Sequence, residues 1–282
     1  MIATGLRHFA LATAALLTAM PVTHAADVSA WDADARSGMR LIAGKGTGDA
    51  NNRVLRAGVE LKLAPGWKTY WRYPGDSGVP PRFDFSQSSN VKSVDVQWPL
   101  PHRFADGSGH SIGYRDAVIF PLSVVPEDKS KPVTLRLKLD YAICEKLCVP
   151  VDAKAELGLS DGVSSQDTAL TAAAARVPKP AALNEGTALA INSVRRESAG
   201  KLPKIVVDVT APENSTVDLF AEGPSPDWSL PLPAPVPGAP AGKRRFAFEL
   251  DGLPPGATAT GATLTLTAVA GANAIEVTAH LD

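Results

Sequence analysis

Short runs of alternating apolar and polar residues, each closed by proline or glycine, recur along most of this 282-residue chain. In the clearest run, Val94, Val96 and Trp98 alternate with polar residues, and prolines follow at positions 99 and 101. A period of two is typical of a strand with one buried face. Because the chain contains 23 glycines and 24 prolines to end such runs, the pattern predicts many short antiparallel strands joined by turns.

The first half of the chain is predicted to hold seven or eight strands, a number typical of an immunoglobulin-like β-sandwich. They fall at residues 40–44, 53–63, 67–73, 82–85, 91–98, 117–124, 133–139 and 154–159. Residues 102–114 are polar and rich in glycine, with a few aromatic rings. This composition predicts a long mobile loop between two strands.

A second and smaller sandwich is predicted towards the C-terminus. Residues 164–177 carry the one good helical pattern, which ends before Pro178 and Pro180. Further strands are predicted at residues 204–209, 216–220, 245–250, 262–269 and 274–278. The predicted fold is therefore all-β: two immunoglobulin-like antiparallel β-sandwich domains, at residues 26–160 and 186–282, joined by a short helical linker at residues 161–185.

The N-terminus has the features of a cleaved secretory signal peptide. Arg7 precedes an apolar run at residues 9–20, and small residues lead up to Ala25. No later run has the roughly 18 apolar residues that a spanning helix needs. We expect residues 1–25 to be removed and the product to be soluble and periplasmic. The formal net charge of −1 gives no sign of a nucleic-acid partner.

Cys144 and Cys148 are the only two cysteines, and three residues separate them. Positions this close permit a disulfide, which persists in an oxidising compartment. A ring this small stabilises a fold by only about 2 kcal/mol, and a chain of this length buries enough apolar surface without it. The spacing alone leaves two interpretations open: a redox-active pair, or a structural clip at a turn.

The neighbours of the pair do not decide between these interpretations. Lys146 favours the thiolate, whereas Glu145 opposes it. Zinc requires four ligands, and no histidine or further cysteine lies within thirty residues of the pair. A two-thiol Cu(I) site remains a third alternative, but we predict no metal and no cofactor.

Four segments together resemble the amino-terminal periplasmic domain of the DsbD and ScsB thiol:disulfide interchange proteins. They are residues 67–81 (with the run YWRYPGDSGVPP), 98–101 (WPLP), 113–116 (GYRD) and 141–150 (YAICEKLCVP). The resemblance covers roughly residues 26–159 and is closest to the ScsB type, which has the same cysteine spacing. It implies an immunoglobulin-like fold with a redox-active cysteine pair.

Site residues follow from this resemblance. Cys144 and Cys148 would be the catalytic thiols, and family habit favours the later one as the attacking group. Residues 102–114 would take the place of a cap that shields the pair, although Asp106 to His110 are smaller and more polar than the acidic and aromatic DsbD cap. We expect cap or partner-contacting roles for five residues: Phe104, His110, Tyr114, Tyr70 and Tyr141.

The resemblance also implies partners and a cellular role. The pair would pass electrons to oxidised periplasmic proteins, thioredoxin-like or otherwise disulfide-bearing. Because the membrane and thioredoxin-like domains of full-length relatives are absent from this sequence, we expect a separate membrane electron donor. Cytochrome c maturation and copper tolerance are the processes that the family suggests. The alternative is a non-catalytic β-sandwich, for binding or copper handling, whose disulfide is structural.

Overall fold

The computed structural model describes residues 26–49, 52–76, 78–107, 109–197 and 202–282, so the predicted signal peptide lies outside the described residues. The fold is all-β, as predicted, with antiparallel sheets and one short helix. Eleven strands precede the helix in this part of the chain: β1 (Asp32–Ala33), β2 (Ser37–Thr47), β3 (Val54–Leu63), β4 (Lys68–Gly75), β5 (Arg82–Asp84), β6 (Val91–Val96), β7 (His102–Asp106), β8 (Gly109–Arg115), β9 (Ala117–Pro126), β10 (Val133–Cys144) and β11 (Cys148–Leu159).

The first sandwich consists of two sheets. One has the order β1-β2-β3-β9-β6, and the other has the order β11-β10-β4-β8-β7 with β5 paired to β10. Apolar residues on the facing sides close the core, because alternate side chains of a strand point to the same side. They include Leu41, Val59 and Phe120 from the first sheet and Trp71, Leu137 and Ile143 from the second.

The prediction of a mobile loop at residues 102–114 is wrong. These residues form a β-hairpin in which β7 pairs with β8, from His102 opposite Gly113 to Asp106 opposite Gly109. The glycines allow the hairpin to form and are not a sign of disorder. Gly107 has a positive φ of 54° at the turn. A Cβ on Gly113 would lie 1.9 Å from the carbonyl oxygen of Thr69, so only glycine lets β8 approach β4 there.

Helix α1 (Asp167–Ala175) is shorter than the predicted 164–177 and packs against the first sandwich. Leu170 is buried over β2 and β3, where Gly44 and Gly58 leave room for its methyl groups. The Ser164 hydroxyl donates a 2.6 Å hydrogen bond to the carbonyl of Ala43. The helix is therefore a packed element of the first sandwich.

Eight strands follow the helix within the described residues: β12 (Lys179–Pro180), β13 (Ala190–Glu197), β14 (Lys204–Thr210), β15 (Val217–Glu222), β16 (Ala234–Pro235), β17 (Lys243–Glu249), β18 (Thr263–Ala270) and β19 (Asn273–His280). They form two four-stranded sheets, with the orders β12-β19-β18-β15 and β13-β14-β17-β16. Their facing sides enclose a second core that includes Val207, Leu219 and Phe246.

The two sandwiches share a buried contact. Phe220 on β15 points away from the second core and joins the first, where its ring centroid lies 5.5 Å from that of Trp71. Val269 and Ala274 of the neighbouring strands β18 and β19 pack into the same cluster. Two core clusters with a common border are consistent with the predicted division into two domains, whose exact boundaries remain a prediction.

Candidate functional site

Cys144 and Cys148 form a disulfide at the tip of the β10–β11 hairpin. They are the last register pair of the two strands, and their Cα atoms lie 4.1 Å apart. The three turn residues between them are exposed, and Leu147 is 80% accessible. The two cysteines differ in accessibility, because Cys148 is exposed whereas Cys144 is only 8% accessible. Cys148 is therefore the more exposed of the two cysteines.

Tyr70 on β4 contacts the pair directly. Its hydroxyl oxygen lies 3.1 Å from the Cys148 Sγ, and its side chain packs with Ala142 and Cys144. Because a disulfide sulfur carries no proton, the hydroxyl must be the donor. Burial raises the pKa of Tyr70, and the charge of Asp106 raises it further, so the hydroxyl keeps its proton at neutral pH.

A partly buried ion pair lies beside the cysteines. Lys68 is the cross-strand neighbour of Cys144, and its Nζ pairs with a carboxylate oxygen of Asp106 at the end of β7. Burial alone would raise the pKa of Asp106, but the hydrogen bond from Lys68 and the positive charges of Lys68 and Arg115 outweigh that effect and lower it. Asp106 is therefore ionised at neutral pH. This pair ties the tip of the β7–β8 hairpin to the strand that adjoins the cysteines.

Phe104 lies on the same hairpin and also reaches this strand. Its ring centroid is 5.8 Å from the Lys68 Nζ and 4.3 Å from the guanidinium carbon of Arg115. Phe104 thus takes part in the contact between hairpin and strand. His110 pairs with Ala105, so alternation places it on the opposite face of the hairpin from Phe104. Its backbone N–H donates to Asp76 at 2.8 Å.

Two of the predicted contact residues, Tyr114 and Tyr141, lie in the core of the first sandwich. The hydroxyl of Tyr114 donates to the carbonyl of Pro99 at 2.8 Å, and that of Tyr141 lies 2.9 Å from the Ser37 Oγ. Both rings are almost fully buried. They therefore support the sheet beneath the cysteines and are not exposed on its surface.

Three residues of the site were not singled out from the sequence. Lys68 and Asp106 lie 38 positions apart and meet only after the strands pair. Strand alternation places Lys68 on the same face of β4 as Tyr70, and this pattern could have identified Lys68 from the sequence. The third residue is Gly78, where a Cβ would lie 2.6 Å from the ring of Tyr70 and 2.4 Å from the Cβ of Pro74. The absence of a side chain there lets the chain close over the tyrosine.

The described residues hold no group of three or more histidine, cysteine, aspartate or glutamate side chains arranged to bind a metal ion. In the same part of the chain, none of the helices has the length and apolar character needed to cross a membrane.

Comparison with known proteins assigns the domain that carries the pair. Residues 45–160 match the family described as "Thiol:disulfide interchange protein DsbD, N-terminal". The fold is similar to the crystal structure of the N-terminal periplasmic domain of ScsB from Proteus mirabilis, with a TM-score of 0.70 and 21% identity over 91% of this chain and 98% of that chain. No curated protein sequence matches the chain. Residues 45–160 are therefore assigned to the DsbD N-terminal domain family by the family match, and the fold shared with the ScsB domain agrees with this assignment.

Proposed function

We propose that this protein is a periplasmic thiol:disulfide exchange protein that passes two electrons from its reduced cysteine pair to an oxidised partner protein. The observation that carries the proposal is the position of the pair. It closes an exposed hairpin turn, with one cysteine exposed and its sulfur hydrogen-bonded to a buried tyrosine. Short exposed disulfides of this kind are typically labile or catalytic, whereas structural ones resist reduction.

The greater exposure of Cys148 supports the following order of the steps. The Cys148 thiolate attacks a partner disulfide, forming a mixed disulfide and releasing one partner sulfur as a thiolate, which takes up a proton. The thiolate of Cys144 then attacks the Cys148 Sγ. The bond between Cys148 and the partner breaks, the second partner sulfur leaves as a thiolate, and the pair is oxidised. The partner gains two electrons and two protons in all.

Tyr70 and the ion pair have separate roles in this scheme. A hydroxyl that donates to the Cys148 Sγ stabilises the thiolate more than the neutral thiol. It therefore lowers the pKa of the Cys148 thiol and increases the fraction of reactive thiolate at neutral pH. The Lys68–Asp106 pair places a neutralised cation beside Cys144. We further infer that the partner is a thioredoxin-like or other disulfide-bearing periplasmic protein, and that a separate membrane protein returns the pair to its reduced form.

A trapping experiment tests the exchange. We expect the Cys144→Ala variant, reduced and mixed with an oxidised thioredoxin-fold protein, to accumulate a covalent mixed disulfide that dithiothreitol releases. Cys148→Ala is the matched control and should form at least about tenfold less, because its remaining sulfur is nearly buried. Equal and negligible trapping by both variants would contradict the proposal.

The reduction potential separates this function from the structural alternative. A clip should have a potential below about −300 mV, whereas a pair that works as a donor to periplasmic partners should lie above it. Equilibration of the mature protein with glutathione or dithiothreitol buffers, followed by alkylation of free thiols, gives this value. A potential below that limit would support a non-catalytic sandwich.

A further inference from the structure

The strand that carries Phe104 and Asp106 is anchored to the second sandwich. β7 is the edge strand of its sheet, so among the described strands only β8 holds it through backbone hydrogen bonds. Arg103, the second residue of β7, points away from the cysteine face, because it pairs with the core residue Ile112. Its Nε lies 3.0 Å from an Asp218 carboxylate oxygen, and its Nη2 donates to the carbonyls of Leu219 and Pro233 at 3.2 and 3.3 Å.

The strand that carries Lys68 and Tyr70 has a second anchor on the same sheet. Arg72 on β4 donates to the carboxylate of Glu222 at 2.8 and 2.9 Å and also pairs with Glu276. Burial alone would lower the pKa of Arg72, but the hydrogen bonds and charges of Glu222 and Glu276 raise it. The guanidinium therefore stays charged. β15 thus contacts both strands that supply side chains beside the cysteine pair.

We propose that the second sandwich positions the redox site through Arg103, which holds the β7–β8 hairpin where Asp106 neutralises Lys68 beside Cys144. The inference rests on the proposed function, because it names the part of the molecule that tunes the thiols of that site. Releasing Arg103 loosens the edge strand and separates Asp106 from Lys68. The unneutralised ammonium then favours the thiolate, so the thiols become more reactive.

Other titratable or charged groups also face this region, and the experiment must compare variants that leave them unchanged. Strand register places them on the face of the sheet that carries the cysteines: Tyr70 from β4, Arg115 from β8, His102 from β7, and Asp140 and Asp152 from the β10–β11 hairpin.

Alkylation of the chemically reduced mature protein tests the proposal. The Arg103→Gln variant should react with iodoacetamide roughly two- to fivefold faster than the wild type at pH 7, the change expected from one partly exposed ion pair. Its pH profile should shift to lower pH. Amide exchange in β7 should also accelerate. Arg53→Gln is the matched control. The side chain of Arg53 is 17% exposed, against 18% for that of Arg103. Like Arg103, Arg53 contacts both an aspartate and a backbone carbonyl, but it lies far from the cysteines.

A double-mutant cycle identifies the route of the effect. Asp106→Asn should raise the alkylation rate directly, and adding Arg103→Gln to it should give little further change. Asp218→Asn breaks the same ion pair by changing the other partner, and it replaces Arg103→Gln in the test if Arg103→Gln does not fold. Alkylation profiles of Arg103→Gln and Asp218→Asn that coincide with that of Arg53→Gln would overturn the proposal. Because the thiols are reduced chemically, this result is independent of the reduction potential and of trapping, which test the proposed function.

Discussion

At the residue scale, the hydroxyl of Tyr70 is the only group of the site whose hydrogen bond to a cysteine sulfur is seen in the described part of the chain. Tyr70→Phe keeps the ring and removes the donor. We expect the pKa of the Cys148 thiol to rise and alkylation at pH 7 to slow about three- to tenfold, because a hydrogen bond to the thiolate is lost. The measurement is the alkylation rate against pH.

Tyr114→Phe is the matched control for that change. It also removes one buried hydroxyl, which donates to Pro99 on the core side of the sheet. Both substitutions should cost about 1 kcal/mol of unfolding free energy. Only Tyr70→Phe should alter the thiol, and equal alkylation rates for the two variants would argue against a role for the hydroxyl.

Asp208 links the stability of the second sandwich to pH. Arg245 and Arg195 donate to its carboxylate at 2.6 to 3.0 Å, and it is almost fully buried. The hydrogen bonds from Arg245 lower the pKa of Asp208 despite its burial, and Arg195 lowers it further. A lowered folded-state pKa contributes stability above the unfolded pKa near 3.9, and this stability is lost as the pH falls towards the folded value.

We therefore expect Asp208→Asn to destabilise the protein by about 3 kcal/mol at pH 7, because it leaves two arginines without their buried partner. The difference from the wild type should shrink between pH 4 and pH 2. Urea denaturation at several pH values measures both effects. Asp34→Asn is the control: its carboxylate pairs with Arg36, which lowers the pKa of Asp34 to about 2, but it is exposed and should change stability little. A pH-independent loss in Asp208→Asn would contradict the assignment.

At the scale of elements, helix α1 offers a test of whether it belongs to the first sandwich. Leu170 lies in a slot where a Cβ on Gly44 or Gly58 would come within 2.5 or 2.7 Å of its methyl groups. Leu170→Ala should lower the unfolding free energy by about 2–4 kcal/mol, as for other buried leucines. Thr168→Ala, on the exposed side of the same helix, should have little effect. Similar midpoints for the two variants in urea would show that the helix is only a linker.

Strand alternation predicted most of the elements and much less of the site. β3 and β6 were found because their apolar residues repeat every second position. The β7–β8 hairpin was missed because Gly107 and Gly109 were interpreted as signs of a loop, whereas they close a tight turn. The burial of Tyr114 follows the same alternation as its neighbour Ile112, so it was open to prediction.

Other features of the site were beyond sequence reasoning. The ion pair between Lys68 and Asp106 depends on β4 and β7 both pairing with β8, and sequence spacing does not reveal this. The anchoring of Arg103 by Asp218 depends on the packing of two separately formed sandwiches. Local patterns report which face of a strand is buried, but they do not report which distant strand lies opposite.

At the scale of the whole molecule, Phe220 couples the two sandwiches. It is fully buried, and it contacts Trp71 across the border between the cores. We expect the wild type to unfold in one calorimetric transition. Phe220→Ala should remove about 3–5 kcal/mol and divide the unfolding into two transitions, because the shared contact is lost.

Leu264→Ala is the control for this coupling, since Leu264 is fully buried within the second core alone. It should lower the stability of the protein without dividing the transition. A single transition in Phe220→Ala, shifted as far as in Leu264→Ala, would show that the border carries no cooperativity.

The β10–β11 ladder determines what an exchange of electrons does to the shape of the protein. Twelve residue pairs hold the two strands in register, and the cysteines are only the last of them. Cleavage of the sulfur–sulfur bond removes a cross-link at the end of this ladder, and the other residue pairs keep the two strands together. The oxidised and reduced forms should therefore be nearly isostructural. Under the proposed function, a partner must then distinguish them by the chemistry of the sulfur atoms.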